Sequence, residues 1–274
     1  MRYIDLDSVL DSSPDEVLYE LKLVNYSMIA LSDDDKIARA STGNAIWRPI
    51  KAYLEQASKR KCWYTESKNA GCLNDVEHFR PKGKIHKPKK EPLIHWYWFL
   101  AFNPMNYRLS CQFANRLNHN ELYGKSGGKG NHFPLLNGTT HSTDLTGLAQ
   151  EEPILLDPCV KSDTELLEFL PDGRPVLSPK FNHDPDAKNR VEQSKLLLNL
   201  DFPTFNEDRE ELYNRVKELV QDGDDNQGNA AVMRMVERDL RKLMNKDSEY
   251  SKAAECYVRG FRNKDWVEAI ILSI

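Results

Sequence analysis

Asp75-Val76-Glu77-His78-Phe79-Arg80-Pro81-Lys82 is the segment of this chain whose residue types and spacing suggest chemistry. A carboxylate directly before a histidine, at the end of a short apolar strand, can serve one site in two ways. The carboxylate binds a hard divalent cation, and the imidazole, with an ordinary pKa near working pH, takes a proton from water. A second oxygen ligand has to come from elsewhere. Asn115, 38 positions after Glu77, offers an amide oxygen at a following helical stretch. An ion held this way would clamp a phosphate, stabilise the developing charge and help a 3′ oxygen leave. Arg80, Lys82 and Arg116 flank these positions and suit neighbouring phosphates. Each piece alone has an ordinary explanation, a surface Glu-His pair or an Asn in a turn. Their order, and the basic run beside them, give the set its meaning.

That run is uneven within a chain of net charge −4. Residues 59–90 hold ten Lys/Arg against three acids, a local +7, whereas residues 201–225 hold nine acids against three bases. A basic patch on an acidic protein is a candidate polyanion site, because phosphate contacts release counterions. The 274 residues are 40% hydrophobic and 29% charged, with mean hydropathy −0.65. This supports a real core and argues against an integral membrane protein. The longest apolar runs, such as residues 94–102, fall short of the ~20 residues a bilayer span needs. The N-terminal residues carry no apolar signal core, so a cytoplasmic location is expected. Five cysteines, an odd and scattered set, fit reduced thiols better than a disulfide framework.

The elements expected to position these residues give an α+β fold in four stretches. Residues 1–58 read as helical: Ser13-Pro14-Asp15-Glu16 resembles a helix start capped by Ser13, and a second helix is predicted from Arg48 to Ser58 with Pro49 in its first turn and Ile50, Tyr53, Leu54 and Ala57 inward. Residues 59–143 form the site-bearing core, with a hairpin around 75–109 and a helix near 111–121. Residues 124–130 read as a flexible glycine-rich insert; they miss the spacing of a phosphate-binding loop. Residues 144–187 form an irregular connection with short strands at 154–156 and 166–169. Residues 188–274 read as helices at about 188–200, 207–221, 229–245 and 248–272.

The ordered set resembles the HNH, or ββα-metal, endonuclease motif, and more closely the HNH nuclease subunits of Septu-type and retron-associated antiphage systems. That subgroup has Cys-x-Tyr-Cys-Glu, then Val/Ile-Glu-His-Phe/Tyr-Arg-Pro-Lys, an aromatic Tyr-x-Trp-Leu-Ala run, Asn-Leu, Cys-x-x-Cys-Asn, Lys-x-x-x-Phe-Pro and Glu-x-Pro-Leu-Leu-x-Pro. This chain offers Cys62-Trp63-Tyr64-Thr65-Glu66, then Val76 to Lys82, then Tyr97-Trp98-Phe99-Leu100-Ala101 and Asn106-Tyr107. It continues with Cys111-Gln112-Phe113-Ala114-Asn115-Arg116, Lys129-Gly130-Asn131-His132-Phe133-Pro134 and Glu152-Pro153-Ile154-Leu155-Leu156-Asp157-Pro158.

Position by position, the resemblance implies His78 as the general base and Glu77 with Asn115 as metal ligands, for magnesium or another divalent such as manganese. Asn106 would brace the loop and orient the histidine. Arg80, Lys82, Arg116 and Lys129 would contact nucleic acid, and His132 would stand near the site without a settled role. The family's paired Cys-x-x-Cys elements hold structural zinc, but Thr65 and Ala114 replace the second cysteine of each pair here. Two thiolates do not close a tetrahedral site, so no structural zinc is expected. Its contribution, on the order of 10 kcal/mol in small domains, would be offset by packing of Trp63, Tyr64, Trp96, Trp98 and Phe113, with Cys72 a less favoured replacement ligand. The implied function is metal-dependent phosphodiester hydrolysis, on DNA first, by an effector that works beside an ABC-type ATPase. An RNA-cleaving enzyme, or a degenerate fold kept as a binding subunit, are the alternatives.

Overall fold

The computed structural model describes residues 1–68, 71, 73–86, 96–136 and 138–273. Cys72, His95, and Lys87, Lys89 and Lys90 of the basic run lie outside the described residues. Among the described residues the architecture is α+β, with helices towards both ends of the chain and three two-stranded antiparallel sheets between them.

The N-terminal helices are α1 (Leu6–Asp11), α2 (Asp15–Ser27), α3 (Asp33–Thr42), α4 (Asn44–Trp47) and α5 (Lys51–Ala57). Ser13 is not the cap of α2: Pro14 occupies that position, and the Ser13 hydroxyl donates to the Val9 carbonyl. The predicted second helix begins as a 3-10 turn at Arg48–Ile50 with Pro49 in it; Ile50 and Leu54 face inward, but Ala57 is exposed. Leu6, Val9, Leu21, Met28, Trp47, Ile50 and Leu54 pack with Trp63, Phe102, Tyr107 and Leu109. This N-terminal core therefore backs the central hairpin.

That hairpin pairs β1 (Asp75–His78) with β2 (Tyr107–Ser110), Glu77 facing Arg108 and His78 facing Tyr107. The helix after it, α6 (Gln112–Asn115), is one turn long rather than reaching residue 121. Arg116 turns extended, and β3 (Asn118–Asn120) then pairs with β4 (Lys125–Gly127). Three asparagines at 115, 118 and 120 weaken a helix here, since their side chains compete for backbone partners. The glycine-rich residues are thus a strand and a tight crossing, not a free insert. Gly128 has φ +96°, and a Cβ there would lie 1.9 Å from the Arg116 carbonyl oxygen.

Residues 154–156 are buried but form no strand, whereas β5 (Leu167–Phe169), preceded by α7 (Lys161–Glu165), pairs with β6 (Pro175–Leu177). A core running from Cys62 and Tyr64 through Phe79, Tyr97 and Phe133 to Leu155, Val191 and Phe205 joins the central and connecting stretches. The later helices are α8 (Pro185–Leu197), α9 (Pro203–Asp225), α10 (Ala230–Met244), α11 (Ser251–Arg259) and α12 (Asp265–Leu272). The single helix expected over 248–272 is broken at Gly260, and α12 turns back so that Trp266 meets Gly223 of α9 and donates to Asp224 at 3.0 Å. Among the described residues, no helix is long and apolar enough to cross a membrane.

Candidate active site

His78 and Glu77 are neighbours in a strand, so their side chains leave opposite faces. On one face the His78 ring packs edge-on against Trp47 (centroids 4.9 Å apart) and Tyr107 (5.0 Å). Its Nε2 lies 2.9 Å from the Ala101 carbonyl oxygen. A carbonyl can only accept, so Nε2 carries the proton, and in the neutral ring Nδ1 is left as the basic nitrogen. No described residue bonds Nδ1. The residue is 6% exposed. Burial pushes its pKa down to about 3; the Ala101 carbonyl opposes this, and Lys82 and Lys129 reinforce it. The imidazole is therefore neutral at working pH.

Asn106 holds the chain that follows. Its Oδ1 accepts from the Arg80 amide at 2.8 Å and its Nδ2 donates to the Arg80 carbonyl at 2.9 Å, while the Phe79 amide donates to the Asn106 carbonyl. Both backbone groups of Arg80 are thus satisfied by one side chain, which fixes the exit from β1 just after His78. The Arg80 guanidinium turns to Glu151, donating from Nε at 2.7 Å, and Glu151 also accepts from the Tyr97 hydroxyl. Lys82 is half-buried with its ammonium over the Trp47 ring, and burial lowers its pKa.

On the other face Glu77 is buried with both oxygens in use. Oε1 pairs with the Lys129 ammonium at 2.6 Å, and Oε2 accepts from the Tyr64 hydroxyl at 2.8 Å. Lys129, expected at the nucleic acid, is 1% exposed and also donates to the His78 carbonyl at 2.8 Å. Asn115 reaches Asp75 instead of Glu77, donating from Nδ2 at 3.0 Å, and Arg116 pairs with the same carboxylate. The structure thus joins Asp75 with Asn115 and Arg116, and Glu77 with Lys129 and Tyr64, and turns His78 away from both. A divalent ion needs carboxylate oxygens free to bind it. Glu77 offers none, so in this arrangement the residues do not fit the implied ion. Among the described residues no three or more His, Cys, Asp or Glu side chains gather as a metal site.

The positions matching the family's zinc knuckles do converge. Cys62 and Cys111 are buried thiols; the Thr65 hydroxyl lies 3.9 Å from the Cys111 sulfur and 2.8 Å from the Ser67 hydroxyl, and Ala114 is buried. Burial opposes ionisation of Cys62, but hydrogen bonds from Cys111 and Thr65 outweigh it and lower its pKa. Tyr64 packs in the same core, Trp63, Trp96 and Trp98 pack in the N-terminal one, and Phe113 is exposed at 41% while touching Phe202. His132 stacks on His86 with ring centroids 4.8 Å apart, and burial, followed by His86 and Lys129, lowers its pKa.

Sequence reasoning overlooked Tyr64, Asp75, Trp47 and Tyr107 as direct partners of these residues. The period-two alternation of a strand would have put Asp75 with Glu77 and opposed them to His78; the aromatic cover on His78 left no local signal.

His78 ends the first of two paired strands that are followed by one helical turn, in an α+β chain. No family model matches the chain. It is similar to the Septu protein PtuB of Bacillus mycoides (strain KBAB4), 32% identical over 135 residues. That match covers 46% of this chain and 42% of the relative, so it spans less than half the length of either.

Proposed function

We propose that this chain is a nuclease of the HNH type acting in antiphage defence, with His78 as the general base. Its β1–β2–α6 unit is read as the ββα motif. One observation carries the reading: the Nε2–H of His78 is tied to a backbone carbonyl, leaving Nδ1 as an unprotonated acceptor beside a loop pinned by Asn106. A water proton passes to Nδ1 as the water oxygen attacks phosphorus, the P–O3′ bond breaks, and the leaving 3′ oxygen takes a proton from solvent while the 5′ phosphate keeps the new oxygen. Lys82, Arg116 and the exposed Lys59, Arg60, Lys68 and Lys84 supply positive charge for the polymer backbone. DNA is the proposed substrate, RNA the alternative, and an ABC-type ATPase the proposed partner, in line with the similarity to a Septu protein.

A binding or scaffold role is favoured by two observations, the 6% exposure of His78 and the closed Glu77–Lys129 pair. Digestion of plasmid and of total tRNA by wild type and His78→Ala, alongside a phage-challenge assay, separates the readings. Loss of cleavage and protection in the variant supports the nuclease. Unchanged protection without cleavage by either protein supports the scaffold.

A further inference from the structure

Lys129 stands where a cation would have to stand to satisfy Glu77. Its ammonium lies 2.6 Å from Glu77 Oε1 and 2.8 Å from the His78 carbonyl oxygen, two oxygens from successive residues of β1. The other Glu77 oxygen is taken by Tyr64. The lysine is not free to leave. Its amide donates to the Ala114 carbonyl at 2.8 Å, and the Gly130 amide donates to the Asn115 carbonyl at 2.7 Å. Just before it, Gly128 passes so close to the Arg116 carbonyl that no side chain fits. The backbone on both sides of Lys129 is therefore clamped to the end of α6.

We infer that Lys129 is the built-in counter-cation of Glu77, and that Glu77 is closed to divalent ions in this chain. A second cation at Glu77 would meet a fixed ammonium in a buried, weakly screened setting, where like charges repel strongly. Asn115, the other residue the resemblance assigns to a metal, is engaged by Asp75 and adds no oxygen at Glu77. The inference deepens the proposed nuclease site and takes its functional meaning from that reading, but the ion pair is testable without any cleavage.

Manganese(II) is titrated into the full-length, isotope-labelled wild type and followed by paramagnetic broadening of backbone amides. The amides of Glu77 and His78 are expected to keep their intensity while those near exposed acids broaden. Selective loss of the Glu77 and His78 signals at low manganese overturns the inference. Calorimetry adds a second measurement. Glu77→Gln is expected to bind manganese within twofold of wild type, and a tenfold loss counts against us. Lys129→Met, checked for folding by thermal melting, is expected to gain a site at least tenfold tighter than anything in the wild type. A folded Lys129→Met that gains none shows that the ammonium is not what excludes the ion. A failed cleavage assay leaves these binding results unaffected, so the two readings fail separately.

Discussion

A ring nitrogen bonded to a carbonyl oxygen fixes which nitrogen of a histidine can act. At His78 the donor is Nε2, so any base chemistry runs through Nδ1. Replacing His78 with Ala is expected to lower phosphodiester cleavage by about 100-fold or more, the usual share of a positioned general base, measured as initial rates on plasmid. The depressed pKa has a second consequence. Below the ordinary histidine value of 6.5 the unfolded chain takes up a proton that the buried ring refuses until about pH 3. Stability is therefore full above 6.5 and is lost progressively as pH falls toward 3. Urea denaturation at pH 7 and pH 4.5 is expected to show a smaller acid loss for His78→Asn than for wild type. Asn106 belongs at this scale too. Its removal leaves the Arg80 amide and carbonyl without their side-chain partner, at about 1–3 kcal/mol for each group left buried and unpaired. Asn106→Ala is expected to be destabilised by that order in chemical denaturation.

Between elements, the crossing of residues 128–130, just after β4, over the end of α6 decides where Lys129 can be. Gly128 combines a left-handed φ with a carbonyl at Cβ distance, so Gly128→Ala must strain or shift the backbone. A loss of about 2 kcal/mol or more is expected on denaturation, with a release of the Glu77–Lys129 pair. The alternation of β1 was open to inspection in the sequence, and it separates Glu77 from His78. The shortness of α6 was harder to see. Gln112-Phe113-Ala114-Asn115 begins as a helix in either reading, and what stops it is the pairing of residues 118–120 with 125–127, a contact across the turn Glu121-Leu122-Tyr123-Gly124 that local propensity does not report. The break at Gly260 is similar: glycine tolerates a helix at a cost of roughly 1 kcal/mol, and the packing of Trp266 on Gly223 decides against it.

Across the whole molecule, the C-terminal helices are tied to the central stretch through Lys61 and Glu66. The Lys61 ammonium donates to the Lys246 and Ser248 carbonyls, and Glu66 accepts from the Ser251 hydroxyl at 2.7 Å. Burial raises the Glu66 pKa, but the chain's amino group and Lys61 outweigh it, bringing the carboxyl from 4.5 down to about 2. Its contribution is present above pH 4.5 and is lost as pH falls through about 2. Glu66→Ala leaves buried positive charge without its partner, a change that costs about 3–5 kcal/mol. Limited proteolysis is expected to cut that variant first near residues 245–250.

Residue identity alone determined that this is an α+β chain with helical ends and that a histidine, an acid and two asparagines stand in a recognisable order. Those features rest on periodicity and on motif, both local. Tertiary structure decided which groups meet. It buried His78 under Trp47, gave Glu77 to Lys129 and Asn115 to Asp75, and converted part of the basic run into internal ion pairs at Lys61 and Arg80. A charged side chain is read from sequence as a site because its charge is visible. Whether that charge faces solvent or an internal partner depends on chain crossings dozens of residues away.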